Sequence, residues 1–132
     1  MMKMLLKLNM QKEINIMEDE RIFNKLVRDN IIDKITNNGE IASYRVLDDI
    51  EYKKELLNKL KEECYEVIDA FTYGRSGDMV IELADVFEVI NYLAKSINVN
   101  MQEVYDVAMI KKDKNGGFDK KYYLEKTIKR KK

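Results

Sequence analysis

The chain has no histidine, no tryptophan, no proline and a single cysteine. Each absence removes a class of chemistry. Without histidine there is no Ser-His-Asp triad, no Cys-His pair and no Glu-x-x-His di-iron site, and most catalytic zinc sites go with them. One cysteine, Cys64, closes no internal disulfide and builds no CxxC site. That fits a reducing cytosol, so a cytoplasmic location is expected. No apolar run reaches the roughly 18 residues of a membrane span, and the stretch from Met1 to Lys7 is too short and interrupted for a signal-peptide core. Carboxylates, amines, guanidiniums and hydroxyls remain. Hard, oxygen-seeking cations such as Mg²⁺ are the natural metals for that set.

The 132 residues are about one domain's worth, 45% apolar and 36% charged. Such a chain buries roughly two thirds of its extended surface and folds without staples. Its 24 basic and 24 acidic residues cancel, but unevenly. Residues 111–132 hold ten basic and three acidic side chains, a surplus of seven positive charges, and residues 1–110 carry the matching deficit. A basic tail can bind nucleic acid or a membrane, or close over a phosphorylated small molecule; it is equally a solvated end.

Residues 1–20, rich in methionine, are expected to be an extension outside the domain. Residues 24–38 are expected to form a helix, with an apolar stripe at Leu26, Ile31, Ile32 and Ile35 and a stop at Asn38-Gly39. Residues 41–47 are expected as an isolated short strand. Asp48 with Glu51 three residues on signals the start of a long helix reaching Phe71. The next helix follows the loop 73–78, with Ser76 or Asp78 as its cap, and runs to Ser96. Asn100 with Glu103 opens a last helix over Met101–Lys114, ended by Gly116-Gly117. The expected class is all-α: a four-helix bundle with one short β element.

The informative acids lie on the apolar faces. At about 100° per residue, Leu56, Leu60, Val67 and Ala70 fall within about 60° of Glu63, and Glu66 lies about 60° to the other side. On the following helix Val86, Val89 and Leu93 lie within about 40° of Glu82, with Asp85 about 60° away. Two carboxylate pairs, each i and i+3, thus edge the core-facing stripes of consecutive helices. Facing acids raise one another's pKa, and either protonation or a divalent cation relieves them. Mg²⁺ or Mn²⁺ suits such oxygens; the bland alternative is pairing with Lys59, Lys61 or Lys95.

These residues carry a resemblance. Glu62-Glu63-x-x-Glu66 followed by Glu82-x-x-Asp85 resembles the EExxE…ExxD signature of the all-α nucleoside triphosphate pyrophosphohydrolases, the MazG-like and phosphoribosyl-ATP pyrophosphohydrolase-like superfamily. The block from Asn24 to Ile31 is similar to that branch's "NKLVRDKIP" opening, and Glu82 to Ile90 to its "ELADVLEVI" helix. Lys111-Lys112, Gly116-Gly117-Phe118 and Lys121-Tyr122-Tyr123-Leu124 are similar to its "KxxxRGGFxxRIYL" ending. The matches span residues 22–125. Asn30, Ile32, Asn115 and Lys121 depart from the pattern, the last two where the branch carries arginine, which grips phosphate bidentately as lysine does not.

The resemblance implies a MazG-like bundle over residues 21–125, completed by dimerisation or higher homo-oligomerisation, with a basic tail at 126–132. It implies that Glu63, Glu66, Glu82 and Asp85 hold Mg²⁺ (or Mn²⁺), with Glu62 as auxiliary carboxylate and Glu63 doubling as ligand and water activator. Lys25, Arg28, Lys111, Lys112 and Lys121 would meet the phosphates. Water would then split a nucleoside triphosphate at the α–β link into monophosphate and pyrophosphate. The alternatives are phosphoribosyl-ATP hydrolysis in histidine biosynthesis and a non-catalytic, nucleotide-sensing helical dimer. A nucleotide ranks above nucleic acid as partner, and a membrane is not expected. Among Phe23, Tyr65, Tyr73, Tyr92 and Phe118, the residue that stacks on a base stays open.

Overall fold

The computed structural model describes residues 2–4, 19–74 and 76–131. The extension expected over residues 1–20 lies almost wholly outside them. The chain divides into two compact units, Met1–Arg45 and Val46–Lys132. The all-α expectation holds: the helices are α1 (Ile31–Asn37), α2 (Asp49–Thr72), α3 (Ser76–Ser96) and α4 (Met101–Asn115), and no strand occurs among the described residues. None of these helices is long and apolar enough to cross a membrane.

The first unit corrects the sequence reading twice. The helix expected over 24–38 is confined to Ile31–Asn37. Asn24 takes φ 46°, a left-handed conformation that a right-handed helix does not admit. The Ile31 amide then bonds the Arg28 carbonyl at 3.1 Å in a turn. Lys25 and Arg28 therefore precede the helix and are not helical i, i+3 neighbours. The stop is as expected: the Gly39 amide, at φ 82°, bonds the Thr36 carbonyl at 3.0 Å. Residues 41–47, expected as a strand, carry no ladder. A lone strand has no partner for its backbone groups, so sequence preference alone does not make one.

The second unit follows its start and stop signals. The Asp48 carboxylate accepts the Glu51 amide at 2.8 Å, and Asp49 and Glu51 place negative charge in the first turn of α2. Asn98, at φ 59°, closes α3: its amide reaches the Lys95 carbonyl, and the Val99 amide reaches that of Ala94 at 2.9 Å. Asn100 caps α4 through the Glu103 amide at 2.9 Å. Gly116, at φ 83°, ends it.

Helices α2 and α3 pack along their length as an antiparallel hairpin about the loop 73–75, whereas α4 meets α3 only lightly. The buried apolar side chains are Leu56 and Ala70 on α2 and Val89 and Ala94 on α3. This seam is the core, and it fixes the acids that edge both stripes.

Candidate metal centre

Because α2 and α3 are antiparallel, the acids in the second half of α2 face those in the first half of α3. Glu63, Glu82 and Asp85 each offer a carboxylate oxygen, and these oxygens lie within 4.8 Å of one another. All three residues are half-buried. Two oxygens on one Mg²⁺, each at about 2.0–2.1 Å, are at most about 4.2 Å apart. The three therefore need only small side-chain adjustments to share an ion. The donor set contains hard oxygens alone, as Mg²⁺ and Mn²⁺ prefer. The residues present fit such a cation.

Electrostatics brings in the fourth acid. Glu66 is exposed, yet it is the foremost of the charges acting on Glu82. Partial burial raises the Glu82 carboxyl above its ordinary value, and Glu66, Asp85, Glu63 and Asp78 push it further in the same direction. Asp78, read from sequence as a cap, thus adds to the field of the cluster; its i, i+4 spacing from Glu82 was the available signal.

One cation is built into the edge. The Lys59 ammonium lies 3.2 Å from Glu62 Oε2 and 3.5 Å from Glu63 Oε1. The side chains of Lys59 and Glu63 are 18% and 13% exposed, so this contact is shielded from water. Glu62, the expected auxiliary carboxylate, is half-buried and tied to Lys59. Of the three lysines weighed as partners, Lys95 lies instead over the Tyr92 ring, 5.0 Å from its centroid.

Three of the five candidate phosphate-binding cations belong to the second unit. Lys111 and Lys112, near the end of α4, line a hollow with Ala108, Asn115, Gly116, Gly117, Phe118 and Asp119. Lys121 is exposed at φ 57° in a segment without helix or strand. Lys25 and Arg28 belong to the first unit and are exposed; the Lys25 ammonium lies 5.8 Å from the Phe23 ring centroid.

Glu63, Glu82 and Asp85 on two packed helices, with Glu66 acting on them through its charge, form a set that can hold a divalent cation. Comparison with curated proteins and with solved structures returned no significant match. Residues 51–115 match the family model of the MazG nucleotide pyrophosphohydrolase domain. That stretch runs from the first turn of α2 to the end of α4 and contains every acid of the cluster. The match covers 65 of the 132 residues and is consistent with the MazG-like superfamily of nucleotide pyrophosphohydrolases.

Proposed function

We propose that this protein is a Mg²⁺-dependent pyrophosphohydrolase that splits a nucleoside triphosphate at its α–β link into monophosphate and pyrophosphate. The observation that carries the proposal is the convergence of Glu63, Glu82 and Asp85 within 4.8 Å, inside the segment that matches the family. When bound, the divalent ion supplies positive charge against the polyphosphate and acidifies water. Glu63, Glu66, Glu82 and Asp85 hold it from two helices, so the hairpin sets its position. Glu62 and Glu63 are the carboxylates that take the proton of the attacking water. Water oxygen forms the new bond to phosphorus, the bridging P–O bond breaks, and pyrophosphate leaves. Lys25, Arg28, Lys111, Lys112 and Lys121 are proposed phosphate contacts that rest on their sequence blocks.

A homodimer belongs to the same proposal. Ile68 and Phe71 on α2 and Val80, Ile81 and Phe87 on α3 each leave more than half their surface exposed. Two helical faces this apolar favour self-association.

The test is pyrophosphate release from a panel of NTPs, dNTPs and phosphoribosyl-ATP, with and without Mg²⁺, against a Glu63→Gln, Glu66→Gln double variant. Release that needs Mg²⁺ and disappears in the variant is expected, and the preferred substrate then names the role. No release, together with no Mg²⁺ effect on thermal stability, overturns the proposal in favour of a binding module.

A further inference from the structure

Lys59 is in contact with the acid cluster. Its ammonium bridges two consecutive carboxylates, at 3.2 Å from Glu62 and 3.5 Å from Glu63, with only 18% of its side chain exposed. Glu63 is also one of the three acids whose oxygens converge on the ion position. The same carboxylate therefore serves two cations. We infer that Lys59 is a tethered counter-ion that occupies the ion's share of Glu63 in the metal-free protein and sets how tightly the divalent cation binds. The inference rests on the ion-site reading above.

The physics gives a direction. Without an ion the cluster is a set of like charges whose repulsion opposes the α2–α3 seam, and one held ammonium relieves part of it. The two carboxylates orient the ammonium, and it in turn restricts their rotamers. Arrival of a divalent cation reverses its effect. A divalent cation held by Glu63 would compete with Lys59 for that carboxylate, and the ammonium's charge would oppose the ion's. Lys59 thus stabilises the empty site and weakens the filled one. Binding becomes an exchange of cations, which keeps the affinity moderate. Lys59 acts through Glu62 and Glu63, so it is a positioning residue.

The experiment titrates MgCl₂ into the EDTA-treated, dialysed protein by isothermal titration calorimetry, beside melting curves with and without Mg²⁺. Lys59→Met keeps the length and apolar stem and removes the charge. It is expected to bind Mg²⁺ on the order of tenfold more tightly, the size of one charge near a divalent ion in a water-exposed site, while its metal-free form melts lower than wild type. Lys59→Arg restores the charge and returns the affinity toward the wild-type value. Lys61→Met, exposed on the same helix, makes the same change in net charge and leaves the affinity within about twofold, because a distant surface charge is screened. A merely structural role for Lys59 would loosen Mg²⁺ binding or leave it alone, and either result in Lys59→Met overturns the inference while wild type still binds. If wild type and Glu63→Gln both give no Mg²⁺ heat, the ion site itself fails, and the inference with it.

Discussion

Ala70 tests whether the spacing of two helices sets the ion site. It is fully buried, on the α2 helix that packs against α3, and stands two turns along the same stripe from Glu63. Ala70→Leu adds bulk where there is no room. Overpacking of this kind costs about 1–3 kcal/mol. Part of the strain is relieved by moving the helices apart, and interaxial distances range over about 8–10 Å with contact side-chain size, so a shift of about 1–2 Å is expected. The converging oxygens come from both helices and lie within 4.8 Å of one another, whereas Mg²⁺ demands oxygens at about 2.0–2.1 Å. A further ångström exceeds what side-chain adjustment absorbs. Misplacement by about 1 Å is enough to lose on the order of 100-fold in rate. The matched control is Ala70→Gly, which costs about 1 kcal/mol of helix stability without adding bulk. Both variants should melt several degrees below wild type. The glycine variant should keep its Mg²⁺-induced rise in melting temperature and its pyrophosphate release; the leucine variant should lose both. A leucine variant that binds Mg²⁺ and turns over like wild type would refute the idea that close helix contact at Ala70 holds the carboxylates together.

Two further predictions follow from the same seam. Partial burial and the charges of Glu66, Asp85, Glu63 and Asp78 raise Glu82's folded-state pKa. A raised pKa means that its stabilising contribution is full below the unfolded value and is lost as pH rises through the folded value. In EDTA the melting temperature should therefore fall as pH climbs out of the ordinary carboxylate range, and Glu82→Gln should flatten that fall; an unchanged slope in the variant would rule the assignment out. The exposed apolar side chains of α2 and α3 predict a dimer by sedimentation velocity, with a melting temperature that rises with protein concentration. A monomer at every concentration would count against it.

How much of this was legible in the sequence depends on the range of the physics involved. Helix ends are local: Asp48 with Glu51, Asn100 with Glu103 and Gly116 each act within a few residues, and all three bond or turn as their spacing implied. The acids on the stripes were legible because a helix repeats every 3.6 residues, so Glu63, Glu82 and Asp85 had to lie beside the apolar positions. That they meet required the hairpin, which the short loop supplied. Lys59 could be weighed from its i, i+3 and i, i+4 spacing, but only packing separates it from Lys61 and Lys95. The helix start at residue 24 failed because apolar spacing there continues through Leu26 while the backbone at Asn24 does not. Periodicity records which side chains could share a face; it does not record a single residue in the wrong φ well. The strand over 41–47 failed for the opposite reason, since pairing partners lie beyond any local pattern.

The hairpin has a consequence for the order of events in folding. Every acid between Glu63 and Asp85 lies within a short stretch of chain joined by a three-residue loop. Contacts this close in sequence form early, since closing a short loop sacrifices little chain entropy. The candidate ion site is therefore assembled by residues near in sequence, all of them on α2 and α3. Yet that zipper has to pass through a contact between like charges at the candidate ion site. The residues that equip the protein for a cation are the ones that resist its closing, so a divalent ion in the medium during folding acts on the step that brings the two helices together.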